Sequence, residues 1–360
     1  NCSSLTEVAL PETLKTIANN AFDGCSSLTS IELPSKLTSI GYSAFARTGL
    51  TEVTIPKGVT TLGTVGTTGY DIGGYYWYDT STGNGAFAEC DNLTKVVFEE
   101  GFKGEIGVNT FIGCHNLTEV VLSSTTKGIC TGAFADTAIS SITIPASVVA
   151  IGTHVFDNCD NLTAIEVDSN NAKFKSVNGV LYGKGVSMVN SGEDVLIAYP
   201  AGKTDAEFTV SVSDVLPGAF VGNDHLKKVT LPGNMAYYTF FYNATTAKKS
   251  SNMATSADAR NGLFGNCSAL TTVVYTGEIG FIPNYMFKNC VSLKTVGTVD
   301  NLTENKVILE DVTRIGTGAF NNTGIEDLTV RNGSAITFIG YTTTSYGNST
   351  PNTDSNKIAG

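Results

Sequence analysis

Residues 25–45 read Cys25-Ser26-Ser27-Leu28-Thr29-Ser30-Ile31-Glu32-Leu33-Pro34, then Leu37-Thr38-Ser39-Ile40-Gly41, then Ala44-Phe45. Leu28, Ile31 and Leu33 mark a short strand in which Glu32 points outward between inward anchors. Pro34 ends it, because proline lacks the N–H that a ladder requires. Leu37 and Ile40 turn back toward the same interior, and Gly41 admits a turn that a β-branched residue would strain. Phe45 fills the volume between the two edges. A unit this short encloses no core alone, so it predicts similar units stacked above and below.

The unit recurs. Phe22, Phe45, Phe87, Phe111, Phe134, Phe156, Phe220, Phe264, Phe287 and Phe320 lie at spacings of 23, 42, 24, 23, 22, 64, 44, 23 and 33. Each is followed five or six residues later by an aliphatic anchor, in a series that runs from Leu5 to Ile325. These anchors fit about eleven units of ~23 residues with insertions near 64–85, 168–211, 234–262 and 298–308. The predicted architecture is a single mainly β solenoid over 1–340, a rod of about 50 Å at roughly 5 Å per level. Residues 341–360, rich in Thr, Ser, Asn and Gly, read as a linker or degenerate terminal coil.

The pattern quoted from residues 25–45 resembles the BspA-type leucine-rich repeats, the Treponema-like class, and similar units run from Cys2 to about Leu328. Phe174–Tyr182 and Val195–Pro200 resemble a variant hairpin unit of the same family. The resemblance implies a leucine-rich-repeat right-handed superhelix with short strands, few helical turns and loop or hairpin insertions. It also implies secreted or surface-exposed bacterial proteins, some of them adhesins, and it carries over no catalytic residue.

Charge narrows the partners. With 22 Lys+Arg against 33 Asp+Glu, a net charge of −11 and 15% charged residues, electrostatic capture of nucleic acid or of an anionic membrane is disfavoured. No apolar run reaches the roughly 18 residues of a membrane span, so no membrane insertion is expected in this segment. The chain begins in mid-repeat at Asn1-Cys2 without a signal or anchor segment, which reads as a piece of something longer. An extracellular or cell-surface location is therefore expected from the resemblance alone.

Of eight cysteines, Cys2, Cys25, Cys90, Cys114, Cys159, Cys267 and Cys290 share one repeat phase, where other units carry Thr48, Thr137, Asn223 and Thr323. Small side chains that bond the backbone at a turn fit this phase, so a reduced buried ladder is preferred to disulfides between stacked neighbours. Cys130 is off phase, either a core residue of its own coil or a free thiol. His115, His154 and His225 are isolated and read as surface or turn residues. The pair Asp157/Asp160 reads as a solvated turn, and the sequons at Asn92, Asn116 and Asn161 as repeat by-products. No phosphate-loop, zinc-protease or nucleophile-elbow motif occurs, so no catalytic residue, metal or cofactor is expected.

Two surfaces remain for a ligand. Glu7, Glu32, Glu52, Glu119 and Glu166, with Thr54, Thr143 and Thr230, lie at outward strand positions and form a mildly acidic face. The insertions carry Tyr70, Tyr75, Tyr76, Trp77 and Tyr78, and Tyr237, Tyr238, Phe240, Phe241 and Tyr242. Such aromatics either present a patch for an extracellular protein or glycan or fold back over the solenoid's flank. The expected function is non-enzymatic recognition and adhesion; the alternative is a stalk that projects another domain, and exposed end coils would favour end-to-end self-association.

Overall fold

The computed structural model describes residues 1–63, 85–185, 192–233, 262–312 and 315–331, together with the backbone of Arg314 and of short strands at 236–237, 338–339, 341–343 and 349–351. Two columns of parallel strands run along the stack. The first holds Glu52–Ile55, Lys95–Phe98 and Glu119–Val121, then Ser141–Ile144 with Ala164–Val167, then a six-stranded sheet from Glu207–Thr209 to Leu328–Arg331. The second holds two-residue strands such as Thr16–Ile17, Ser39–Ile40 and Thr61–Leu62. Register follows the repeat: Glu52, Lys95 and Glu119 are neighbours across the ladder, while Val53 and Val96 pair on the inward side. Alternating exposure along Glu52–Ile55 is the expected period of two.

The expected helical turns do not form; the described residues contain no helix. Most of the Phe turns are bracketed by left-handed residues, such as Ser43 (φ 51°) and Arg47 (φ 57°), or Asn109 (φ 53°) and Gly113 (φ 71°), which stop a helix from propagating. The turn's N–H groups point along the stack instead. Phe45 N donates to Ala86 O at 2.8 Å, Phe87 N to Thr110 O at 2.9 Å and Phe111 N to Ala133 O at 2.9 Å. Successive rings consequently lie in register: Phe45 stacks on Phe87 with centroids 5.1 Å apart, and Phe111 on Phe134 at 5.7 Å with planes 6° apart.

The insertion 168–211 contains the expected hairpin, Phe174–Val177 with Val180–Gly183, and a third strand, Val195–Ala198. This small sheet stands between two cores. Leu181, Val195 and Ile197 join the core on the N-terminal side, whereas Val180, Tyr182 and Leu196 join the one on the C-terminal side. Burial on both faces explains why these strands are continuously apolar rather than alternating. Beyond the sheet, Tyr199 takes the place of the missing phenylalanine, stacked on Phe220 at 5.4 Å. The ring ladder runs from Phe22 to Phe156 on one side and from Tyr199 to Phe320 on the other.

The insertion 298–308 also differs from a simple loop. Val307–Glu310 enters the first column as an additional parallel strand, with Val307 opposite Val296 and Leu309 opposite Val330. Only residues 299–306 connect it to Thr295–Thr298.

Candidate recognition surfaces

The cysteine phase is structural. Cys25, Cys90, Cys114, Cys159, Cys267 and Cys290 are buried, Cys2 is exposed, and all eight thiols are free. Five of these thiols cap a carbonyl in the preceding coil: Cys90 Sγ donates to Phe45 O at 3.0 Å, Cys114 to Phe87 O at 3.1 Å, Cys159 to Phe134 O at 3.1 Å, Cys267 to Phe220 O at 3.0 Å and Cys290 to Phe264 O at 2.9 Å. Threonine serves the same turn by donating to its own coil, as Thr137 Oγ1 does to Phe134 O at 2.8 Å. Burial pushes the Cys159 thiol up to about 12 and raises Cys114 and Cys267 as well, so these groups stay protonated and unreactive. Cys130 occupies a phase held by Gly41, Gly63 and Gly152 in other coils and is buried.

At the corner before the Phe turns, glycine alternates with a bulkier residue in two runs along the stack, Gly85, Asn109, Gly132, His154, Gly218 and then Gly262, Tyr285, Gly318. The alternation has a steric cause. A Cβ on Gly85 would strike the Asn109 carbonyl, one on Gly218 the His154 ring, and one on Gly318 would lie 2.7 Å from the Tyr285 ring. His154 is thus a buried ring laid over glycine, its Nδ1 2.7 Å from Asp157 Oδ2. The expectation of a solvated Asp157 turn is corrected by this pair, because the carboxylate leaves solvent to bond the imidazole; Asp160 stays at the surface. One step along each turn, Asn158, Asn266, Asn289 and Asn322 form an amide ladder at 2.8–3.1 Å that starts on Asp136 and passes over Gly222.

Both aromatic insertions leave this same corner. The first departs after Gly63 and rejoins at Gly85; the second departs after the strand Ala236–Tyr237 and rejoins at Gly262, whose Cβ would strike the Tyr285 carbonyl. Along the corner the rejoining points are five levels apart, Gly85 to Gly262, roughly 25 Å at the usual strand separation. Tyr70, Tyr75, Tyr76, Trp77, Tyr78, Tyr238, Phe240, Phe241 and Tyr242 lie outside the described residues, as does the side chain of Tyr237.

On the outer strand face Glu7, Glu32, Glu52, Glu119 and Glu166 are all exposed. They do not form one stripe. Glu52 and Glu119 flank Lys95 in one lane, while Glu166 lies opposite Thr143 in the next. Lys95 Nζ sits 2.7 Å from Glu119 Oε1, and this hydrogen bond holds the ammonium above its ordinary range. Threonine hydroxyls beside this lane are already used between coils: Thr94 Oγ1 donates to Thr51 O at 3.1 Å and Thr118 Oγ1 to Thr94 O at 3.3 Å. Among the described residues no cluster of His, Cys, Asp or Glu is arranged to hold a metal, and no helix is long and apolar enough to cross a membrane.

Coils of about 23 residues, anchored by leucine and stacked through parallel strands, define a leucine-rich-repeat solenoid. The family described as BspA type Leucine rich repeat region matches in six copies over residues 1–65, 80–179 and 202–307, and the chain belongs to that family. Among solved structures, a leucine rich cell surface protein from Faecalibacterium prausnitzii A2-165 is similar at 22% identity and a TM-score of 0.57, over 92% of this chain and 86% of that one. The pneumococcal vaccine antigen PcpA is similar at 18% identity and a TM-score of 0.55, over 92% of this chain and 64% of PcpA's. The chain thus spans less than two thirds of the PcpA structure. At these identities the likeness is one of fold. No curated protein matches the chain.

Proposed function

We propose that this protein is a secreted or cell-surface bacterial recognition module that binds an extracellular protein or glycan and performs no catalysis. The observation that carries the reading is the shared corner: two aromatic-rich segments, one holding the chain's only Trp, depart from and rejoin the same edge of a rigid stack. Two anchored segments roughly 25 Å apart suit simultaneous engagement of one large ligand, where the second contact benefits from the first. Membership of a repeat family adds support, since stacked repeats bind through extended surfaces and edge insertions.

The stalk reading draws on a different observation. Much of the outer face satisfies itself, through the Thr94 and Thr118 hydroxyls and the Lys95–Glu119 pair. Display of the chain on a non-adherent bacterium separates the two. Recognition predicts new adherence to epithelial cells, matrix-coated surfaces or other bacteria; unchanged adherence with verified display supports the stalk and refutes recognition.

A further inference from the structure

The connection 299–306 runs over the outside of the first strand column. Val296 belongs to the core, so its neighbours Thr295 and Gly297 face outward. The segment lies on them: Asn305 N donates to Thr295 Oγ1 at 3.0 Å, and Thr298 N donates to Asn301 Oδ1 at 2.8 Å. A Cβ on Gly297 would come within 2.6 Å of Asn301 Oδ1 and 3.6 Å of Leu302 Cδ1. In the lane through Gly297, the outward residues Val274 and Ile308 are also buried, at 5% exposure each. Farther along the same face the equivalent positions Thr54, Val121 and Thr143 are open to solvent. Where the face is closed it is aliphatic; where it is open it is mostly polar.

We propose that residues 299–306 are a strap that occupies a docking lane formed by Val274, Gly297 and Ile308, and that this lane takes a polypeptide segment carrying an amide side chain beside an aliphatic one. The present occupant shows the mode. Asn301 sits over the side-chain-free Gly297, Leu302 packs beside it, and the outer side of the strap is solvated, with Val299 57% and Leu302 39% exposed. With Gly297 covered by Asn301 and Leu302 and Thr295 bonded by Asn305 of its own chain, the lane excludes an external segment until the strap lifts, which makes the contact autoinhibitory.

The test uses the full chain with residues 299–305 replaced by a Gly-Ser linker of equal length, and the peptide Thr298–Lys306 added in trans. Saturable chemical-shift changes are expected with an affinity of about millimolar or tighter, because a tethered strap stays closed only when its dissociation constant is at or below an effective concentration of that order. The parent chain should show none, and Gly297→Val in the linker variant should abolish them. No saturable response from a folded linker variant overturns the inference, as does equal binding by the parent. A second readout avoids dependence on the linker variant. Gly297→Val in the parent should speed amide exchange over 299–306 at least tenfold while Val307–Glu310 keeps its protection; unchanged exchange in the strap also overturns it.

Discussion

Removing one rung of the ring ladder should destabilise the coils around it far more than removing a rung at the end. Phe111 is fully buried, stacked on Phe87 at 5.6 Å and Phe134 at 5.7 Å, with Phe98 edge-on at 6.3 Å. Phe22 is partly buried and, among the described residues, stacks only on Phe45, at 5.2 Å. Truncating a buried phenylalanine costs about 3–5 kcal/mol, and each aromatic pair adds about 0.5–1.5 kcal/mol of that. Phe111→Ala should therefore cost about 4–5 kcal/mol and Phe22→Ala about 1–2 kcal/mol. Urea denaturation followed by circular dichroism gives the totals, and amide exchange gives the location. Because each coil interacts chiefly with its neighbours, protection should fall around Phe87, Phe111 and Phe134 and persist near Phe287. Equal costs at the two sites, or protection lost evenly along the chain, would refute nearest-neighbour stacking.

Gly218→Ala should cost about 2–4 kcal/mol in the parent, since the residue is left-handed (φ 78°) and its Cβ meets the His154 ring. In a His154→Ala background the ring clash is gone, leaving backbone strain of about 1 kcal/mol and a 2.9 Å approach to Asp157 Oδ1, so a thermal-melt cycle should show strong coupling between the two sites. A thiol reagent should titrate only Cys2 in the native protein and all eight cysteines in denaturant without reductant; a shortfall in denaturant would reveal disulfides. Burial pushes Glu105 up to about 7, so the folded state holds a proton that the unfolded chain releases at lower pH. Stability should accordingly fall as pH rises from about 4.5 to about 7, by no more than about 1 kcal/mol once solvent screening of this half-exposed group is allowed for. Glu105→Gln should flatten that part of the curve.

The repeat was legible because its anchors, Leu28, Ile31 and Phe45, must recur wherever a coil contributes to a shared core. The level supplied by Tyr199 was not, because the chain there takes a short cut, Ile197-Ala198-Tyr199-Pro200, that lacks the Ala-Phe context. The strand at Val307-Ile308-Leu309 was not legible either, because this aliphatic run begins only twelve residues after Thr295 and so falls outside a 23-residue period. The few helical turns were expected from the family resemblance. Ser43 gives no sequence sign of left-handed backbone and Asn109 and His154 only a weak one, and that backbone turns the N–H groups toward the next coil. The alternation of Gly85, Asn109, Gly132 and His154 is present in the sequence, yet it acquires meaning only when the coils are stacked. The five glutamates are exposed, but only register shows that Lys95 divides the lane of Glu52 and Glu119 and that Glu166 belongs to another.

Recognition through the shared corner is tested most directly by binding of the intact chain to an array of extracellular-matrix proteins and glycans, beside a variant with Tyr75, Tyr76 and Trp77 changed to alanine. Saturable binding that the folded variant loses is the predicted result. A folded parent that binds nothing on the array, or a variant that binds as well as the parent, would contradict it.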